Sequence, residues 1–95
     1  MTHANHFRFF LTRAEPHVVF GTVESIIDRI ERVENRLDAD IGALFAELGE
    51  EPLKARINPT DEAFLEENAD SLANCRAAVT RYARFREWQA QQLAA

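Results

Sequence analysis

The sequence predicts an all-α fold: a long antiparallel helical hairpin, about 22–48 and 59–92, with a short connecting turn and an N-terminal aromatic segment over one end. Three observations carry this. Apolar residues recur in steps of three and four over long stretches, which places them on one helix face. Three Gly and three Pro against fifteen Ala favour helix over sheet. Apolar content of 46% with 28% charge suits one folded domain, 1–95, rather than a disordered tail.

Residues 1–6 show no apolar period and are expected to be disordered. "FRFFL", 7–11, is aromatic-rich and reads as extended, while 13–20 stays open. Thr12 and Glu15 have the spacing of a capping box, so a short helix from 13 fits. "HVVF" reads equally well as a strand.

The first long helix is the clearest element. Its stripe runs Val19, Val23, Ile26, Ile30, Val33, Leu37, then Ile41, Leu44 and Leu48, with Phe20, Ile27 and Phe45 widening one side. A seven-residue repeat holds to Leu37. The next seam position would be Asp40, but the apolar residue falls at Ile41, a stutter that relaxes a supercoil. Gly21 or Thr22 would open this helix and Gly49 would close it.

"GEEPLKARINPTDE" is the connection, with one short helical turn that starts at Pro52 and turns Leu53 and Ile57 inward. Asn58 then caps a second long helix with Pro59 in its first position. Its apolar face is Leu65, Leu72, Cys75, Val79 and Tyr82. Phe85 and Trp88 overhang the partner helix, so residues 7–20 are expected to cover them.

A chain this short buries only about two-thirds of its unfolded surface. The stripe of the first helix is also wider than one partner helix can cover. These points predict a homodimer, assembled as a four-helix bundle with coiled-coil-like packing, or an obligate complex with another protein. The partner-binding seam would be Val19, Val23, Ile26, Ile27, Ile30, Val33, Leu37, Ile41, Leu44 and Leu48.

The chemical candidates are few. His3, His6 and His17 lack the clustered spacing of a metal site, so no metal is expected. Lone Cys75 falls on the inward face as a small hydrophobe. Residues 15–51 hold ten acids against three arginines, spread along a polar face rather than paired in a pocket. The most suggestive cluster is "RAAVTRYARFREWQ", where Arg76, Arg81, Arg84 and Arg86 stand among Tyr82, Phe85 and Trp88. Such interleaving suits a partner surface or a nucleic-acid surface. It is also explained by core packing plus the helix dipole, because 61–70 holds five acids and no base. A net charge of −5 argues against a general phosphate-binding surface.

The expected function is therefore protein–protein association without catalysis or cofactor, by a small cytoplasmic accessory or regulatory subunit. The alternative is a nucleic-acid-binding regulator using Arg76, Arg81, Arg84, Phe85, Arg86 and Trp88. Nothing approaches a membrane span, and no membrane partner is expected.

Overall fold

The computed structural model describes residues 1–15 and 20–94, and every regular element among them is helical. The elements are α1 (Ala4–Arg13), α2 (Phe20–Leu37), α3 (Ile41–Leu48), α4 (Glu50–Arg56), a single 3₁₀ turn (Glu62–Phe64) and α5 (Ala69–Ala94).

The first departure from expectation is α1. Residues 7–11 are helical, not extended, and Ala4–His6 belong to the same helix. Phe7, Phe10 and Leu11 have the three-and-four spacing of a helix face, and all three are buried. Phe9 falls off that stripe and stays 53% exposed. Thr12 does not open a capping box. It lies inside α1, and its hydroxyl donates to the Arg8 carbonyl at 2.8 Å. Arg8 ties α1 to α2 through Glu24, at 2.6 Å and 3.3 Å.

The second departure is that the long first helix is two helices. Asp38 sits at φ 52, and the Ala39 N–H donates to the Glu34 carbonyl at 3.1 Å. That six-to-one bond after a left-handed residue is a Schellman stop. Asp is one of the few side chains that tolerate this conformation. Asp40 then caps α3, accepting from the Gly42 N–H at 2.9 Å. The stutter in the repeat is thus a stop followed by a restart.

Gly49, at φ 81 and ψ 173, ends α3 and leads directly into α4. There Leu53 and Ile57 are fully buried, as the connection's pattern predicts. The third departure follows. Asn58 accepts from the Thr60 N–H at 2.9 Å and closes a tight turn instead of starting a long helix. Asp61 caps the 3₁₀ turn that buries Phe64. Asn68 accepts from the Ser71 N–H at 2.7 Å and starts α5 ten residues later than expected. Three polar acceptors in eleven residues divert the backbone before helix can propagate. Leu65, assigned to the apolar face, is 62% exposed.

From Leu72 onward α5 follows its sequence pattern, burying Leu72, Cys75, Ala78, Val79, Tyr82 and Phe85. It packs on α2, α4 and α1, and α1 also packs on α2. Phe7 and Phe10 lie over Phe85 at 5.3 Å and 5.7 Å, and Phe10 reaches Trp88 at 5.5 Å. The N-terminal segment therefore covers the aromatic end of α5 as expected, as a helix. The radius of gyration, 13.1 Å, is close to the ~13 Å of a compact chain of this size.

Candidate interaction surface

The seam is the interior of a single chain. Val23, Ile26, Ile27, Ile30, Val33, Ile41 and Leu44 are at most 5% exposed without any second molecule. Leu37 and Leu48 are half-buried against the same core. Val19 lies outside the described residues. The expectation that this stripe waits for a partner is corrected, and the reason is geometric. The broad face of α2 meets α1 on one side and α5 on the other, so two elements of the same chain cover what one could not.

The arginine–aromatic cluster is also largely occupied within the chain. Arg76 donates to the Ile57 carbonyl at the end of α4. Arg81 and Arg84 share Glu15, at 3.6 Å and 3.4 Å. Arg86 hydrogen-bonds the Tyr82 hydroxyl; burial pushes that phenol above its ordinary value, and Arg86 works against the rise. Phe85 is core at 1% exposure, and Trp88 is half-buried. The rings therefore form no open stacking platform. The helix dipole does not explain the arginines either, because the last turn of α5 carries no base and the dipole fades within that turn. Glu15, just after α1, accounts for two of the four, Arg81 and Arg84.

The charges of α2 pair with groups elsewhere in the chain: its arginines with Glu67, and its acids with Arg8 and the Met1 ammonium. Glu67 receives Arg36 at 2.9 Å and Arg32 at 3.4 Å. Arg8 and Glu24 shift one another: the guanidinium is held more basic and the carboxyl more acidic by their hydrogen bond. The least ordinary carboxyl is Glu34. Burial raises its pKa; the Ile41 N–H at 2.8 Å and the Met1 ammonium at 3.4 Å oppose the rise, and Asp40 adds to it. Burial acts in the same direction on Asp40, but hydrogen bonds from Thr2, Gly42 and Glu34 hold its pKa below the ordinary value. These groups brace the α2–α3 junction.

Cys75 is buried, and desolvation raises its thiol pKa, which keeps it protonated and unreactive. Among the described residues no group of three or more His, Cys, Asp or Glu could hold a metal ion, and no helix is long and apolar enough to cross a membrane. His3 and His6 stack ring on ring at 5.6 Å.

What remains open lies at the α1–α5 end. His6, Phe9, Trp88, Gln89, Gln92 and Leu93 line a groove of about 390 Å³. The Phe9 and Trp88 rings are 6.1 Å apart. The large hydrophobic side chains left exposed among the described residues are Phe9, Leu65 and Leu93, and two of them meet here. Only Trp88 belongs to the candidates chosen from sequence. Two signals mark the rest: Phe9 stands off the Phe7–Phe10–Leu11 stripe, and "WQAQQLAA" has no charge in a chain that is 28% charged.

No family model matches this chain, and neither a curated protein nor a solved structure is significantly similar to it.

Proposed function

We propose that this chain is a small non-catalytic association module, an accessory or regulatory subunit, and that it binds another protein through the groove between α1 and the end of α5. The observation that carries the reading is the meeting of Phe9 and Leu93, 53% and 89% exposed, around the half-buried Trp88. An apolar patch rimmed by polar amides is what interaction sites leave open. Burying each large side chain fully is worth about 1.5–3 kcal/mol, so three of them supply useful but modest binding.

The four-helix-bundle dimer expected from the stripe is not carried forward, because its seam residues are core. The nucleic-acid alternative is weaker than the association reading, since two of its arginines share Glu15 and Phe85 is buried.

A photo-crosslinking amino acid placed at Leu93 tests the proposal in the native cell. Adducts at position 93, absent with the same group at exposed Ala73 on another face of α5, are the expected result. Equal yields at the two positions would remove the groove from consideration.

A further inference from the structure

We propose that Glu34 and Asp40 form a proton-operated latch on the α2–α3 junction. One proton held between the two carboxyls keeps the first turn of α3 closed, and its loss lets Glu34 swing out and that turn open. The latch is independent of the association reading. Two consecutive backbone donors bring the carboxyls together: Glu34 Oε2 accepts from the Ile41 N–H at 2.8 Å, and Asp40 Oδ2 accepts from the Gly42 N–H at 2.9 Å. The carboxyls also hydrogen-bond each other, which requires a proton on one of them, because an ionised carboxyl only accepts. The joint they span is short: Asp38 at φ 52 ends α2, and Ala39 alone separates it from the cap of α3.

Little nearby offsets a second negative charge. The Glu34 side chain is 11% exposed, so its ionised form is poorly hydrated. The Met1 ammonium stands 3.4 Å from Glu34 but is shared with Glu31 at 3.7 Å, and it is the only ion-pair partner of either carboxyl among the described residues. The Thr2 N–H reaches Asp40 at 3.3 Å. From α5, Arg86 and the Tyr82 hydroxyl both lie 3.6 Å from where a Gly42 Cβ would stand, and they hydrogen-bond each other. On α1, Arg8 is taken by Glu24 and His3 stacks on His6. Asp38 is exposed and adds a like charge.

These surroundings pull the two carboxyls apart. Burial raises Glu34 above its ordinary 4.5. Burial acts the same way on Asp40, but the hydrogen bonds from Thr2, Gly42 and Glu34 outweigh it and hold Asp40 below 3.8. Between the two folded values the pair keeps one proton and the latch is shut. As pH rises through the folded value of Glu34, the contribution of the shared proton is lost. As pH falls through that of Asp40, the cap loses its charge and the latch loosens again. Asp40 is exposed, so protons reach the pair from solvent.

N–H groups in the first turn of a helix have no partner within it, so protection of the Ile41 and Gly42 amides reports on the latch directly. Hydrogen exchange of the full chain, corrected for the intrinsic rate at each pH, should show that protection highest at about pH 4 and at least about twofold lower at about pH 7. Glu34→Gln keeps an acceptor for Ile41 and removes the titration, so it should flatten the fall. Any other group that titrates in this range does so in both proteins, and the difference between them isolates Glu34. Asp40→Asn keeps a capping side chain and removes the charge, so it should lower the titration midpoint of Glu34, followed by the NMR shift of its carboxyl carbon. Protection that falls alike in the parent and Glu34→Gln overturns the latch. So does a Glu34 midpoint unmoved by Asp40→Asn. Exchange of Ile41 and Gly42 no faster than that of the Ile30 amide would also overturn it, because the junction would then open only when the whole chain unfolds.

Discussion

Single residues decide where this chain turns. Gly49 combines φ 81 with ψ 173, a region that side-chain-bearing residues essentially never enter. Nothing lies within 4 Å of where its Cβ would stand, so the constraint is backbone conformation rather than crowding. Gly49→Ala should cost about 1–3 kcal/mol in urea unfolding; an unchanged midpoint would mean that the α3–α4 corner relaxes freely. Glu34 and Asp40 make a pH-dependent brace. Glu34 has its pKa raised above 4.5, so the folded state holds that proton more tightly than the unfolded chain. Its contribution is fully present below about pH 4.5 and is lost as pH rises through the folded value. Asp40 is the reverse: its pKa is lowered from 3.8, so its contribution is present above that value and is lost as pH falls through the folded one. Glu34→Gln keeps an acceptor for the Ile41 N–H and removes the titration. Between pH 4.5 and pH 7 the variant should therefore lose less thermal stability, or gain more, than the parent. Circular dichroism melts at the two pH values measure this, and parallel changes in parent and variant would refute it.

At the scale of elements, the sequence carried apolar periodicity well and polar interruption poorly. The stripe from Val23 to Leu44 and the face from Leu72 to Phe85 are core in the structure. The short helix around Leu53 and Ile57 was likewise legible from Pro52 and the inward pair. The breaks were harder to read because they depend on competition between side chain and backbone. Asp38 stops α2 through its backbone at φ 52, and for Asp40, Asn58, Asp61 and Asn68 only the local hydrogen bonds show which N–H each side chain accepts. The α1 segment misled for a different reason: three phenylalanines within four residues resemble a strand, although Phe7, Phe10 and Leu11 alone carry a helical period. The groove was hidden by the same error, since Phe9 has no meaning as an outlier until α1 is a helix. The docking of α1 can be tested through Phe10, which bridges Phe85 and Trp88. Phe10→Ala should cost about 3–5 kcal/mol, and it should shift Trp88 emission to the red by uncovering one side of the indole. A variant with parental stability and emission would show that α1 does not hold that end.

For the whole molecule the decisive question is where one chain ends its own core. Among the described residues, nineteen side chains form a continuous buried cluster that draws on all five helices and the 3₁₀ turn. No polar side-chain atom among the described residues is buried without a partner. A core closed in this way makes stability a property of one chain. Folding coupled to a seam dimer would instead raise the unfolding midpoint with protein concentration, because mass action favours the assembled state. The chain should therefore unfold at the same denaturant midpoint across a tenfold range of protein concentration. Ile30 sharpens the comparison, since it is completely buried at the centre of α2. Ile30→Ala should remove about 2–5 kcal/mol, out of a total of roughly 5–15 kcal/mol for a small domain. Ile30→Asp, which adds an unpaired charge to that deficit, should leave the chain unfolded rather than dispersed into folded monomers. A soluble, helical, monomeric Ile30→Asp protein would show that α2 presents its apolar face outward after all and would restore the seam as a partner surface.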